Sequence, residues 1–149
     1  AGGKKLCGIL TEMSAEEDEI KYVIIGIGIN ANMDNDDFGQ EVSSIATSVR
    51  IESGMPVSRK ALAASVLFEF EQIYRVFTRD GSIKAFLEDY KSKSAVLGKE
   101  VRLISKKEEI TGLAADISEE GHLVVRLTDG SYREIMSGEV SIRGMYGYI

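Results

Sequence analysis

The chain has very little of what would point to a disulfide scaffold or a zinc site. Its 149 residues include one cysteine, one histidine, one proline and no tryptophan. A single cysteine, Cys7, excludes a disulfide within the chain and suits a reducing compartment. Because the histidine lies far from Cys7 in the sequence, neither a structural zinc site nor a Cys/His catalytic pair is expected.

Basic clusters and long apolar runs are also missing. The net charge is -6, whereas a protein that binds nucleic acid electrostatically normally carries a clustered basic surface. No apolar run is long enough to cross a bilayer, and no signal segment opens the chain. With 44% hydrophobic and 28% charged residues, the composition predicts a globular, cytoplasmic protein that is not bound to a membrane.

Two apolar runs near the start predict a pair of neighbouring strands. Residues 5–12 (KLCGILTE) and 21–30 (KYVIIGIGIN) are rich in β-branched residues and are joined by an acidic stretch. This arrangement favours antiparallel pairing. The polar, turn-rich residues 31–41 that follow are predicted to form a mobile loop.

Three helices are predicted after this loop. Ser43 or Ser44 would cap a short helix that ends at Gly54, and Ser58 would cap a longer one. The longer helix is expected to bury one face, made by Leu62, Val66, Phe70, Ile73, Tyr74 and Phe77. Ser82 would cap a third helix, with an inner face made by Ile83, Phe86, Leu87 and Tyr90.

The pattern changes after Gly98 to short strand-like runs. Val101 and Leu103, and then Ile110 and Leu113, lie in these runs, and the pairs 120–121 and 129–130 are Glu-Gly and Asp-Gly turn signals. Four or five short strands within about 45 residues predict a small closed barrel. We place a domain boundary at 95–99, which gives domains 1–97 and 98–149.

The glycines of the second predicted strand need an explanation, because glycine weakens a strand. Gly26 to Ala31 matches the dinucleotide pattern G-x-G-x-x-A, but that motif requires a helix to begin at once, and an acidic loop follows here. Gly26 and Gly28 could instead make room for a helix packed close above the strand. A third interpretation is a flat ligand laid against the backbone, with Asn30 hydrogen bonding at its edge.

The first strand favours the third interpretation through a resemblance. KLCGILTE followed by VIIGIGIN resembles the patterns KxxGIL(V/T)E and (V/I)(V/I)GIGIN of biotin protein ligases (biotin–[acetyl-CoA-carboxylase] ligases). Residues 137–143 (SGEVSIR) resemble the closing element of the family's C-terminal barrel. The resemblance implies an α+β fold. Residues 1–97 would be part of a class II synthetase-like mixed sheet with packed helices, and residues 98–149 an SH3-like barrel.

The resemblance also implies a reaction. Enzymes of this family condense biotin with ATP, which carries Mg²⁺, to biotinyl-5′-AMP, and then transfer biotin to a lysine of a biotin carboxyl carrier domain. By similarity, Lys5 would be the catalytic cation that contacts the biotin carboxylate and the phosphate. The resemblance assigns further biotin- and ATP-binding residues: Gly8, Ile9, Gly26, Gly28, Asn30, Glu139 and Arg143. An alternative role for Glu139 and Arg143 is a pair that fixes the barrel against the main domain. Residues 31–41 would cover the adenylate, with Met33 and Phe38 as candidates to pack on adenine.

Two elements of the family are absent from the chain. Neither the biotin loop GRGRxxR nor the segment KWPND occurs in it, so we expect a fragment that does not ligate biotin by itself. The resemblance leaves open a homodimer, and nucleic acid would be bound only through a preceding repressor domain. Two alternatives remain: a lipoate ligase-like acyl-adenylate enzyme, which shares the catalytic fold, and a non-catalytic SH3-like module that binds a partner.

Overall fold

The structure is a computed structural model that describes residues 1–16, 19–104, 109–136 and, for the backbone alone, 141–144. Within these residues the chain forms seven strands and three α-helices. The strands are β1 (Cys7–Glu16), β2 (Glu19–Ile29), β3 (Glu100–Ile104), β4 (Glu109–Ile117), β5 (Leu123–Leu127), β6 (Tyr132–Ile135) and β7 (Ser141–Gly144). The helices are α1 (Val49–Ser53), α2 (Arg59–Asp80) and α3 (Lys84–Ser92).

The elements confirm the α+β class. Both sheets are built from antiparallel neighbours, and the helices lie between them in the sequence. The chain divides into two compact units, Ala1–Leu67 and Phe68–Ile149, so the division falls within α2. The boundary at 95–99 remains a prediction about domains. In the part of the chain that the structure describes, no helix is both long and apolar enough to cross a membrane.

The two predicted strands of the first unit pair as expected. β1 and β2 are antiparallel, with Gly8 opposite Gly28 and Leu10 opposite Gly26. Both strands run further toward their link than predicted, so that Glu16 lies opposite Glu19. Since successive residues of a strand point to opposite faces, the hairpin has two distinct sides.

The two sides differ in composition. The glycine face consists of Gly8, Leu10, Glu12, Ser14, Tyr22, Ile24, Gly26 and Gly28. The aliphatic face consists of Cys7, Ile9, Thr11, Met13, Val23, Ile25, Ile27 and Ile29. Neither face is covered: Leu10 on the first is 65% exposed, and Ile9 on the second is 69% exposed.

Residues 43–48 do not form the predicted start of a helix. Residues 43–45 form hydrogen-bonded turns, in which the Ala46 amide donates to the Val42 carbonyl at 2.8 Å. Ala46 then pairs with Lys5 in an isolated parallel bridge, which adds a parallel contact beside the antiparallel hairpin. Helix α1 therefore begins only after Ser48, whose hydroxyl accepts a hydrogen bond from the Ile51 amide at 3.1 Å. Gly54 ends α1 with φ 76°, as predicted.

Residues 31–41, predicted to be a mobile loop, contain a short helix. A 3₁₀ helix spans Asn35–Asp37, and the Asp34 amide donates to the Asp37 carboxylate at 2.7 Å. Phe38 is buried, with 9% of its surface exposed. It is therefore not free to pack on adenine in this conformation, while Met33 is half-buried.

Helix α2 forms where predicted, and the Ser58 hydroxyl accepts from the Ala61 amide at 3.3 Å. The predicted burial of one face of α2 is wrong, because no residue of α2 is buried. The apolar positions Phe70, Ile73, Tyr74 and Phe77 are 41–53% exposed. The periodicity of a helix shows which side avoids water, but it does not say what covers that side.

The second unit holds the main hydrophobic core. Its five-stranded antiparallel sheet has the order β6-β5-β4-β3-β7, and the core residues are Leu87, Val101, Leu103, Ala114, Ile117, Leu123, Val125 and Ile135. This matches the predicted SH3-like arrangement of short strands. Closure of the barrel is not among the strand pairings of the described residues. The predicted turns form, with Gly121 and Gly130 at φ 85° and 86°.

Helix α3 packs on this core through one residue. Leu87 is 5% exposed, whereas Tyr90, predicted on the same face, is 59% exposed and so was assigned wrongly. Two ion pairs attach the helix to β4 and the following turn. Lys91 Nζ lies 2.7 Å from Asp116 Oδ1, and Lys84 Nζ lies 2.9 Å from Glu119 Oε1.

Candidate functional site

Lys5 is held by its backbone and extends its side chain over the glycine face. Its amide donates to the Ile45 carbonyl at 2.7 Å, and its carbonyl accepts from the Thr47 amide at 3.0 Å. A Cβ atom placed on Gly8 would lie 3.7 Å from Lys5 Cε and 3.9 Å from Lys5 Nζ. The ammonium group therefore stands above Gly8, on the side of the hairpin where the other two glycines lie.

Packing inside the described residues does not require glycine on this face. A Cβ on Gly26 would lie 3.8 Å from the Leu10 carbonyl oxygen, and a Cβ on Gly28 would lie 3.8 Å from the Gly8 carbonyl oxygen. These are ordinary van der Waals distances, so alanine would fit at either position. The described residues thus give no support to the interpretation that these glycines make room for a helix packed above them.

Gly112 in β4 provides a contrast, because there the packing does exclude a side chain. A Cβ on Gly112 would stand 2.5 Å from Val125 Cγ1 and 2.7 Å from the Arg126 carbonyl oxygen. The sequence alone does not distinguish a strand glycine that packing requires, such as Gly112, from one that packing does not require, such as Gly28. The difference is set by the neighbouring strand, which a single sequence does not show.

Asn30 lies just beyond β2 and links three segments of the first unit. Its amide nitrogen Nδ2 donates to the Thr47 carbonyl at 3.0 Å and is 3.5 Å from the Lys5 carbonyl oxygen. Its backbone amide donates to the Leu6 carbonyl at 3.0 Å. The side-chain donor of Asn30 is therefore used within the protein, next to the backbone of Lys5.

The segment after Asn30 is attached to the first turn of α1. The amides of Val49 and Arg50 each donate at 2.9 Å, to the carbonyls of Asn30 and Ala31. Arg50 Nη1 also lies 2.9 Å from Asp34 Oδ2. These bonds satisfy amide groups that the start of a helix leaves unpaired, and they fix the entry to the predicted adenylate loop.

The polar residues that build this junction were not predicted from the sequence. Thr47 and Ser48 are both 0% exposed. Asn32 forms two hydrogen bonds with the backbone of Val57, donating to its carbonyl at 2.9 Å and accepting from its amide at 2.8 Å. The only signal was the polar type of these residues within a turn-rich stretch, and that does not reveal burial.

The remaining predicted site residues are Ile9, Glu139 and Arg143. The side chain of Ile9 belongs to the aliphatic face, so only its backbone is available to the glycine side. Glu139 lies outside the described residues. Arg143 is placed by its backbone in β7, opposite Arg102 of β3. The structure therefore brings together Lys5, Gly8, Gly26 and Gly28.

The residues that the structure describes show no metal centre. No group of three or more His, Cys, Asp or Glu side chains in ranges 1–16, 19–104 and 109–136 is placed to hold a metal ion. Nor does a helix follow Ala31, where the chain is irregular up to Asn35. A dinucleotide fingerprint needs a helix there, so that alternative loses its basis.

Comparison with known proteins supports the resemblance. Residues 96–143 match the family model described as "Biotin protein ligase C terminal domain". The chain is similar to biotin protein ligases over nearly its whole length. It is 38% identical over 142 residues to the bifunctional ligase/repressor BirA of Bacillus spizizenii and 28% identical over 140 residues to that of Escherichia coli. These matches cover 94% of this chain but 42% of each relative.

Solved biotin protein ligases from Aquifex aeolicus have the same fold. The apo structure superposes with a TM-score of 0.82 at 32% identity, covering 97% of this chain and 61% of that one. The complex with biotin and ATP superposes with a TM-score of 0.77 at 31% identity, covering 95% of this chain and 57% of that one. The family resemblance that the strand motifs indicated is thereby confirmed.

Proposed function

We propose that the chain supplies part of the active site of a biotin protein ligase. Such an enzyme condenses biotin and ATP to biotinyl-5′-AMP and pyrophosphate, and then transfers biotin to a lysine of a carboxylase's biotin carboxyl carrier domain. The observation that carries the proposal is the position of the Lys5 ammonium group above Gly8, on a face that also holds Gly26 and Gly28, two glycines that internal packing does not require. The Aquifex relative in complex with biotin and ATP supports these two substrates.

Lys5 addresses the main electrostatic difficulty of the first step. The biotin carboxylate has to approach an α-phosphate that is itself negative, and a fixed cation near both anions lowers this repulsion and stabilises charge in the transition state. Because the backbone of Lys5 is bonded on both sides, to Ile45 and to Thr47, the ammonium group starts from a defined position. In the transfer step the same cation would stabilise the phosphate of AMP as it leaves.

The glycines would let the ligand approach the backbone. At Gly8, Gly26 and Gly28 the strands present peptide groups without side chains, so a flat ring system can lie on the hairpin. The backbone of Ile9 and the side-chain carbonyl of Asn30 would offer hydrogen bonds at the edge of this surface. Glu139 and Arg143 would act from the C-terminal domain, on the ATP or carrier side. We further propose a division into domains 1–97 and 98–149.

Partners and metal follow from the same reaction. Mg²⁺ would arrive bound to the phosphates of ATP, and the carrier domain would be the protein substrate. The relatives named ligase/repressor support nucleic-acid binding only through a region that this chain does not match. A homodimer and a cytoplasmic location complete the proposal. The match of residues 96–143 favours biotin over the lipoate alternative.

Titration of the chain with biotinyl-5′-AMP, followed by NMR, tests the proposal. Amide signals of Lys5, Gly8, Gly26 and Gly28 should shift, while those of β5 should stay in place. This readout detects weak binding, so it does not depend on turnover. Shifts confined to other residues, or none at saturating ligand, would contradict the proposed site.

Turnover itself should be absent. Because GRGRxxR and KWPND do not occur in the sequence, we propose that the 149 residues alone make no biotinyl-5′-AMP at a useful rate. Incubation with biotin, ATP and Mg²⁺ should release no more pyrophosphate than the same mixture without protein. Full synthesis of the adenylate would refute this part of the proposal.

A further inference from the structure

Three segments of the first unit meet at one buried residue, Thr47. Its amide donates to the Lys5 carbonyl at 3.0 Å, and its carbonyl accepts from Asn30 Nδ2 at 3.0 Å. Its hydroxyl donates to Glu52 Oε1 at 2.6 Å. Thr47 is 0% exposed, and its two backbone groups and its hydroxyl all have partners.

The hydroxyl bond fixes the orientation of this residue. A buried hydroxyl is costly unless it is hydrogen-bonded, and a bond to a carboxylate is stronger than one between neutral groups. Glu52 belongs to α1, and the start of α1 is held by Ser48. Ser48 Oγ accepts from the Ile51 amide and donates to the Met33 carbonyl at 2.5 Å. The bond from Thr47 to Glu52 therefore ties the segment that pairs with Lys5 to the helix.

The segment that is tied in this way sets the place of Lys5. Lys5 and Ala46 form an isolated parallel bridge, not part of a longer ladder. Such a bridge has only its own two backbone bonds, from Lys5 to Ile45 and from Thr47 to Lys5. Its position consequently depends on what anchors its second strand. The Thr47 hydroxyl ties this strand to α1, beside the bonds that join Thr47 to Asn30 and Ser48 to Met33.

We infer that Thr47, through its bond to Glu52, is a positioning residue for Lys5. It acts by holding the bridge from which the Lys5 side chain extends over Gly8, and it does not itself need to touch the ligand. The inference rests on the proposed function, in which the Lys5 ammonium group contacts the biotinyl-adenylate. It adds to the site two residues, Thr47 and Glu52, that the strand motifs do not contain.

A nuclear Overhauser signal between the Lys5 ε-methylene protons and a Gly8 α-hydrogen reports the position of the Lys5 side chain in the absence of ligand. The signal is expected in the unaltered chain because Lys5 Cε lies next to Gly8. Thr47→Val keeps the volume but removes the hydroxyl, and Glu52→Ala removes the acceptor at an exposed residue. Both substitutions should abolish the signal. They should also speed hydrogen exchange of the Lys5 and Thr47 amides by roughly tenfold, as expected for losing a charged hydrogen bond.

Two matched variants separate positioning from general stability. Thr47→Ser retains the hydroxyl and should restore the Lys5–Gly8 signal. Thr78→Val removes an exposed hydroxyl that bonds only within α2, to the Tyr74 carbonyl at 3.0 Å, and should leave the signal unchanged. If Thr47→Val fails to fold, Glu52→Ala still decides the question.

Persistence of the Lys5–Gly8 signal in Glu52→Ala, or its failure to return in Thr47→Ser, would overturn the inference. The proposed function fails by a different observation, namely that biotinyl-5′-AMP shifts no amide of the glycine face in the unaltered chain. The two failures are distinguishable, because the first is measured without ligand and the second with it.

Discussion

Gly8 lies directly opposite Gly28 in the β1–β2 hairpin, and both belong to the face over which Lys5 extends. A methyl group at Gly28 would come no closer than 3.8 Å to the Gly8 carbonyl oxygen. The absence of a side chain is therefore not a requirement of this fold, and it becomes useful only when something else lies against the hairpin.

This relationship predicts opposite effects on stability and on binding for Gly28→Ala. Glycine in a strand costs roughly 0.5–1 kcal/mol relative to alanine, so the free energy of unfolding should stay the same or rise by that amount. Affinity for biotinyl-5′-AMP should fall, because the methyl group occupies ligand space. Urea denaturation and NMR titration measure the two effects.

Gly39→Ala is the matched control for Gly28→Ala. A Cβ at Gly39 meets no atom within 4 Å, and Gly39 does not have a positive φ. The free energy of unfolding should therefore stay close to that of the unaltered chain, and Gly39→Ala serves as a control for stability alone because residues 31–41 are the predicted adenylate loop. Loss of stability without loss of affinity in Gly28→Ala would mean that the glycine serves the fold and not the ligand.

Gly112→Ala should show the reverse behaviour. The added methyl group would clash with Val125 and with the Arg126 carbonyl oxygen, and the latter is backbone that has to shift. Overpacking of this kind costs about 1–3 kcal/mol. Chemical denaturation of Gly112→Ala should show that loss, while Gly39→Ala again serves as the control; an unfolding free energy equal to that of the unaltered chain would refute the packing role.

The ion pair between Lys91 and Asp116 predicts a pH dependence of the second unit. The pKa of Asp116 is lowered from its ordinary 3.8, first by the hydrogen bond from Lys91 and then by the Ile117 amide. An acid with a lowered pKa stabilises the fold above its unfolded-state pKa, and this contribution is lost as the pH falls through the folded-state value. The loss should therefore occur below about pH 4.

The lysine of the pair acts at the other end of the pH scale. The pKa of Lys91 is raised from 10.5, chiefly by its hydrogen bond to Asp116, so its contribution is present below that pH and is lost as the pH rises through the folded-state value. Since the Asp116 side chain is 55% exposed, solvent weakens both effects. Asp116→Asn should reduce the loss of unfolding free energy at acid pH. Asp89→Asn, which breaks the ion pair of Asp89 at the C-terminal end of α3, should leave this loss in place. An unchanged loss of unfolding free energy at acid pH in Asp116→Asn would contradict the role given to the Lys91–Asp116 pair.

Much of the fold was predictable from local patterns. The β1–β2 hairpin, the cap of α2 at Ser58, the stop at Gly54 and the two glycine turns of the second unit all follow from short-range chemistry. The strand motifs around Lys5 and Gly28 also indicate the resemblance to biotin protein ligases from the sequence alone. The predictions of these features succeed because each feature is determined by a few residues that are neighbours in the sequence.

The errors share a different cause, because they depend on partners distant in the sequence. A helix was predicted to begin at Ser43 or Ser44, but the pairing of Ala46 with Lys5 delays its start until after Ser48. Phe38 lies in a segment of polar, turn-forming residues and yet is buried. The roles of Thr47 and Glu52 depend on a bond between the bridge segment and α1, which no periodicity reveals.

Lys5→Ala tests whether Lys5 is the cation of a biotinyl-adenylate site. Loss of a charged hydrogen-bond partner for a phosphate should weaken binding of biotinyl-5′-AMP by about tenfold or more. Lys4→Ala removes the neighbouring exposed lysine and should leave the affinity within about twofold, as expected for a surface charge that makes no direct contact. Equal affinities for Lys5→Ala and the unaltered chain, measured by titration at the glycine-face amides, would contradict the account.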